Sequence, residues 1–313
     1  MIEVLVKSVI QLILLLLVAP LVTGIIRTLK ARLQTRRGPG IGQPYRDLFK
    51  LLRKGMVIPN TASWIFSATP YIVFGTAALV GLMIPMTATD APLSLFGGVL
   101  AVVYLLALGR FFLALGGLDT GSSFGGLGSS REMTISAIAE PAMMLAIFTV
   151  ALSANSTNLS EMARSAVSQS WRFLAPSQIL AFSGLFIVLI AETGRIPVDN
   201  PATHLELTMI HEAMLLEYSG PYLALIEWGA SIKQLVLMTL LVNTFFPFGL
   251  SSSWMVSGLS LGLVFYLLKL LLLACCIVLV ETTNAKLRLF RVPELLAVAF
   301  ILGALALIST FLF

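Results

Sequence analysis

Apolar runs of about 20 residues recur along this chain, and no soluble fold could bury them all. A hydrocarbon core about 30 Å thick takes a helix of about 20 residues. The runs are therefore read as eight spans: Val9–Thr28, Trp64–Met86, Leu93–Leu115, Glu132–Ala154, Gln178–Glu192, Pro221–Phe245, Trp254–Glu281 and Pro293–Phe313. Only 11% of the 313 residues are charged and 58% are hydrophobic, too little polar surface for a soluble domain of this length. The expectation is an all-α polytopic membrane protein forming a single membrane domain over residues 1–313. The first run is too long for a signal peptide, is followed by cations and ends at no clear cleavage site, so it is read as an uncleaved span. Cys275 and Cys276 are adjacent inside an apolar run, poorly placed to pair and without zinc spacing, which makes them packing residues.

Lys and Arg in short loops set the orientation of such a chain. The first loop carries Arg27, Lys30, Arg32, Arg36, Arg37, Arg46, Lys50, Arg53 and Lys54, and later odd-numbered loops add Arg131, Arg195, Lys286, Arg288 and Arg291. Only Arg164 and Arg172 lie in the loops of the opposite side. Fourteen cations against two predict cytoplasmic odd-numbered loops, with both termini outside. The net charge of +5 is thus topological and is no sign of nucleic-acid binding. Within the first loop, Leu48, Leu51 and Leu52 stand at helical spacing among cations, which predicts a surface helix along the membrane interface. The turn Gly38-Pro-Gly-Ile-Gly and the glycine-rich stretch Gly116–Glu132 lack any nucleotide-binding fingerprint and read as close-packed turns.

The remaining charge is concentrated. Glu192, Asp199, Glu206, Glu212 and Glu217 are a third of the 15 acids, gathered at the end of the fifth span and in the segment that follows it. That segment reads as a functional mouth on the basic, cytoplasmic side. Within the spans stand Arg110, Glu140, Glu192, Glu227, Lys233 and Lys269. An ionisable group at the centre of a span costs roughly 2.5–3.5 kcal/mol or more, so it needs a partner or a wet cavity. Carboxylates and lysines withdrawn from water are also groups that exchange protons near neutral pH. The set reads as a proton or ion path from the acidic mouth inward; the alternative is structural pairing, such as Glu227 with Lys269. His204 and His211 are seven residues apart, which is no recognised ligand spacing, so no metal is expected. No nucleophile–base arrangement or redox cysteine motif is present, so no catalytic residue is assigned.

Ala191-Glu-Thr-Gly-Arg-Ile-Pro-Val-Asp with Glu217-Tyr-Ser-Gly, and Arg36-Arg-Gly-Pro-Gly with Asp47-Leu-Phe-Lys-Leu-Leu, resemble signatures of the superfamily of the complex I heel subunit. Gly117-Leu-Asp-Thr-Gly-Ser, Gly128-Ser-Ser-Arg-Glu, Glu140-Pro and Trp228-Gly-Ala-Ser-Ile-Lys-Gln-Leu are similar to its hydrogenase branch, the formate hydrogenlyase subunit 4 and hydrogenase-4 component C group. The resemblance covers nearly the whole chain. It implies a subunit that holds a peripheral redox arm on the membrane and opens a proton-transfer path towards antiporter-like partner subunits. On it, Glu140, Glu192, Asp199, Glu206 and Glu227 fall on acidic positions of the family, and Lys233 and Lys269 on lysines of the hydrogenase branch. The chain departs from the family at Pro197-Val-Asp-Asn-Pro-Ala-Thr-His, where two acids are absent, and the segment from Glu206 to Glu217 is longer.

The expected function is the anchoring and proton-path subunit of an energy-converting oxidoreductase in a bacterial or archaeal inner membrane. Proton transfer is expected at Glu140, Glu192, Asp199, Glu206, Glu217, Glu227, Lys233 and Lys269. The arm is expected at Arg36, Arg37, Arg46, Arg131 and Arg195. The chain itself would bind no cofactor; nickel–iron and iron–sulfur centres would belong to hydrogenase-like large and small partner subunits. The alternatives are the quinone-chamber subunit of an NADH:quinone oxidoreductase, a stand-alone ion transporter, and a scaffold whose buried charges are merely structural.

Overall fold

The computed structural model describes residues 2–168, 175–200, 209–251 and 256–312. His204, Glu206, Arg172 and the two chain positions Trp254 and Phe313, taken as span ends, lie outside them. The described residues form α1 (Ile2–Leu33), α2 (Gln43–Arg53), α3 (Trp64–Met83), α4 (Val99–Asp119), α5 (Ser123–Ala154), α6 (Leu159–Ser168), α7 (Pro176–Glu192), α8 (Gly220–Phe245), α9 (Val256–Thr283) and α10 (Val292–Leu312). Seven of these, α1, α3, α4, α5, α8, α9 and α10, are long and apolar enough to cross a membrane. The apolar α7 has only 17 residues.

The connections nevertheless sort the eight expected spans onto two faces. On one face the α1–α3 loop meets the segment before α8, where Val57 N donates to Ser219 Oγ at 2.9 Å. The same loop meets the α4–α5 turn, where Thr61 Oγ1 donates to Thr120 O at 2.9 Å. Lys286, between α9 and α10, reaches Asp199 after α7. On the opposite face Asn243 donates to Pro85 O and Met86 O at 2.8 and 2.9 Å, Thr89 N to Ser251 O at 2.9 Å, and Gln178 Nε2 to Ser153 Oγ at 3.2 Å. Each long helix therefore runs from one face to the other, and α7 does so as well.

Several boundaries differ from expectation: the first helix runs from Ile2 to Leu33 rather than from Val9 to Thr28, and two later starts move. The third span starts at Val99, not Leu93, because Gly97-Gly98 interrupts the chain and Ser94–Phe96 forms a separate 3-10 turn. The fourth starts at Ser123, not Glu132, with Ser122 Oγ accepting from Gly125 N at 3.1 Å as its cap. The glycine-rich stretch is thus mostly helix around a turn at Thr120–Ser122, where Gly121 has φ +69°. Its glycines bring backbones together: a Cβ on Gly125 would lie 2.2 Å from Gly117 O.

The surface helix expected in the first loop is α2. It buries Pro44 and Leu48 against α1 and α8 and leaves Phe49 and Leu52 exposed beside Arg46, Lys50 and Arg53. The turn before it presses on α1, since a Cβ on Gly24 would lie 2.1 Å from Ile41 O. Tyr45 of α2 donates its hydroxyl to Leu17 O, and burial pushes that phenol above its ordinary range.

Asp119, at the end of α4, ties the turn to the start of α3. Its Oδ2 accepts from Ser63 N at 2.7 Å and Phe66 N at 3.2 Å, and its Oδ1 from Ser63 Oγ at 2.7 Å. It therefore takes up backbone donors that the helix start leaves open.

Candidate functional site

The buried charges meet where α4, α5, α7 and α8 converge. Arg110 of α4 is 5% exposed. Its Nη1 lies 2.9 Å from Glu140 Oε1 of α5 and its Nη2 2.6 Å from Glu192 Oε2 of α7, while Glu132 stands 3.9 Å from its Nε. Lys233 of α8 lies 2.9 Å from the same Glu192 Oε2. Three carboxylates thus face two cations, so one negative charge is in excess when all are ionised. A cluster of this balance has a place for one proton shared among coupled groups.

The short α7 explains how Glu192 reaches this depth. Because α7 stops early, the segment after it folds inward rather than over the surface. Ile196, Val198, Met209, Ile210, Ala213, Met214 and Tyr218 are all buried. Non-helical backbone is tolerated at such depth only where it is enclosed by protein or lines a cavity. Here Gly117 and Gly128 leave room for it: a Cβ on Gly128 would lie 2.9 Å from Ala213 Cβ, and one on Gly117 3.2 Å from Met214 Cβ. Tyr218 stacks on Phe66 with ring centroids 4.0 Å apart, and burial pushes its phenol pKa up.

Asp199, 3% exposed, is the turning point of this segment. Its Oδ1 lies 2.6 Å from Lys286 Nζ and its Oδ2 accepts from Ile210 N at 3.1 Å. A small cavity lined by Glu132, Glu192, Asp199, Ile210 and His211 joins the inward segment to the Arg110 cluster. The structure thereby brings together four expected site residues, Glu140, Glu192, Lys233 and Asp199, with Arg110 and Glu132 between them.

The other expected positions lie elsewhere. Arg195 is 8% exposed and points inward, 2.7 Å from Glu281 Oε1 and 2.9 Å from Gln234 Oε1. Lys30 sits 2.8 Å from the other Glu281 oxygen. Arg131 donates to Met209 O at 2.8 Å and is half-buried. Arg36, Arg37, Arg46 and Glu217 are exposed. Glu227 is half-buried with Arg27, Asp47 and Glu212 as its charged neighbours. It does not meet Lys269, so the structural pair considered for those two is not formed. Lys269 instead donates to Asn243 Oδ1 and Phe246 O, near the opposite face.

Sequence reasoning misses Glu132, Glu281, Lys30, Lys286, Gln234 and Asn243 as site residues. Gln234 and Asn243 carry a usable signal, since a buried amide inside a span needs partners much as a charge does. Lys30 and Lys286 read as loop charges and Glu281 as the end of a span, because their partners are far away in sequence.

The profile of the NADH dehydrogenase family matches residues 6–312. The chain is 36% identical over 300 residues to formate hydrogenlyase subunit 4 of Escherichia coli (strain K12), covering 96% of each chain. It is 38% identical over 297 residues to hydrogenase-4 component C of the same strain, covering 95% of this chain and 92% of that one. An NADH-quinone oxidoreductase subunit of Syntrophotalea carbinolica (strain DSM 2380 / NBRC 103641 / GraBd1) is 32% identical over 281 residues, covering 84% and 81%. The fold matches a chain in the structure of the membrane-bound sulfane sulfur reductase, an archaeal respiratory membrane complex. That match has a TM-score of 0.86 at 20% identity and covers 98% of this chain and 99% of the other.

Proposed function

This chain belongs to the NADH dehydrogenase family, and from that premise we propose that it is the anchoring and proton-path subunit of a multisubunit energy-converting oxidoreductase resembling formate hydrogenlyase or hydrogenase-4. The observation that carries the reading is the Arg110–Glu140–Glu192–Lys233 cluster. With Glu132 beside Arg110 it holds three carboxylates against two cations, the side chains of Arg110 and Glu192 in it are buried, and a cavity joins it to Asp199 and His211. Protons enter the cluster from the face that carries the basic first loop, and Glu140, half-buried, passes them on towards antiporter-like partner subunits. Glu206, Glu217 and Glu227 belong to the entrance of this path.

That face is cytoplasmic in this reading, with both termini outside, because it gathers the cation-rich loops. Arg36, Arg37 and Arg46, exposed on it, contact the peripheral arm, with Arg131 behind them. Arg195 acts through the inward segment that it holds rather than as a contact. The nickel–iron and iron–sulfur centres belong to hydrogenase-like large and small subunits of the arm. The relatives are named as subunits or components, which favours this reading over a stand-alone transporter.

Gentle affinity purification in mild detergent, with mass spectrometry and metal analysis, tests the proposal. Nickel, iron and a hydrogenase-like large subunit are expected to co-purify. A flavin with NADH-oxidising subunits and quinone would instead assign the chain to the quinone-chamber role, which the similarity to an NADH-quinone oxidoreductase subunit supports.

A further inference from the structure

Lys269 stands apart from every other cation buried in the spans. Arg110 and Lys233 rest on Glu192, and Lys30 and Arg195 rest on Glu281. Among the described residues Lys269 has no carboxylate within ion-pair distance. Its Nζ donates to two neutral acceptors, Asn243 Oδ1 at 2.8 Å and Phe246 O at 3.0 Å. Long helical side chains point back towards the start of their helix. The Lys269 side chain therefore extends towards the face opposite the acid cluster.

The cradle is preassembled. Asn243 Nδ2 is held by Pro85 O and Met86 O at 2.8 and 2.9 Å, which turns its Oδ1 towards the lysine. The Pro85–Thr89 loop is fixed in turn by Thr89 N to Ser251 O at 2.9 Å and Ser251 N to Thr87 O at 3.0 Å. It also lies directly on α9, where a Cβ on Gly262 would come 2.7 Å from Thr87 O. On α8, Thr239 stands one helical turn before Asn243. Tyr266 of α9 is engaged with Thr239 at 2.6 Å, and Glu3 and Lys7 of α1 pair with each other at 2.5 Å.

We infer that Lys269 is a proton-release station on the face opposite the acid cluster. This rests on the proton-path reading above. An ammonium has three N–H donors and the cradle uses two of them among the described residues; a neutral amine still has two. Loss of one proton to water at that face converts ammonium to amine, transfers no electrons and leaves both hydrogen bonds in place. Lys233 differs, since its deprotonation would abolish an ion pair with Glu192.

The test uses the complex purified with its partner subunits, sealed into vesicles, with electron transfer and proton movement followed together. Lys269→Arg keeps a cation and donors in the cradle but does not release a proton at working pH. Asn243→Asp places a carboxylate beside the ammonium and pins it, at the loss of the two hydrogen bonds that the Asn243 amide donates to Pro85 O and Met86 O. Both variants are expected to assemble and transfer electrons while the proton-to-electron ratio falls below that of the parent by the share released through this chain. A parent-like ratio in Lys269→Arg overturns the inference, because a purely structural lysine tolerates that change. If Lys269→Arg does not assemble, a parent-like ratio in Asn243→Asp does the same. A parent complex that transfers electrons but moves no protons would sink the proton-path reading itself, and this one with it.

Discussion

Arg195 and Glu281 lie 2.7 Å apart, joining the turn after α7 to the last turns of α9 across 86 residues of sequence. The pair is buried, and Lys30 closes it from α1. It therefore fastens three elements around the entrance to the site. Removing one partner of a buried pair leaves an uncompensated charge and costs about 3–5 kcal/mol. Glu281→Gln, which strands both Arg195 and Lys30, is expected to lower the unfolding midpoint in detergent more than Arg195→Ala, which leaves Glu281 paired with Lys30. Thermal unfolding of the two purified variants checks the order.

Glu192 and Glu140 should separate structure from transport. Glu192 Oε2 serves both Arg110 and Lys233, so Glu192→Gln is expected to cost about 3–5 kcal/mol and to reduce assembly. Glu140 has a side chain 30% exposed and shares Arg110 with Glu192. Glu140→Gln is therefore expected to assemble normally while losing proton movement coupled to electron transfer. Complex yield and vesicle acidification measured side by side decide the matter. Retained coupling in Glu140→Gln combined with Lys233→Met would turn the cluster into a scaffold.

The basic first loop should act at a surface. Arg36 and Arg37 are exposed, and reversing them removes no ion pair among the described residues. Arg36→Glu with Arg37→Glu is expected to leave the membrane chain folded and inserted while the peripheral arm is lost on purification. An intact complex after the double change would rule these two residues out as the docking point.

Much of the architecture is legible in the sequence because span length and cation asymmetry report directly on the bilayer. Glu140, Glu192 and Lys233 stand out because a charge inside an apolar run is costly. What escapes is pairing. Arg110 meets Glu192 across 82 residues, and nothing in one chain reports that contact. The two span lysines also part company: Lys233 sits on Glu192, while Lys269 turns to Asn243. The glycines before Glu132 read as turn residues, but all except Gly121 are helical, and Gly117 and Gly128 make room for the inward segment. Glycine abundance alone does not distinguish a turn from a close helix contact.

Asp119 offers the sharpest check on how that segment is held. Its carboxylate accepts from Ser63 N, Ser63 Oγ and Phe66 N, so it anchors the start of α3 to the end of α4. Phe66 then stacks on Tyr218, whose hydroxyl donates to Phe66 O at 3.2 Å. A loss at Asp119 should therefore travel through α3 to the inward segment and on to Asp199 and Glu192. Removing a helix-capping acceptor costs about 0.5–2 kcal/mol. Asp119→Ala is expected to fall in that range and to raise hydrogen exchange at the backbone of 209–218 more than at α9. Asp119→Asn, which keeps one carbonyl acceptor, should lie between the two. Equal exchange in all three proteins would mean that the inward segment is held by its own packing and not through Asp119.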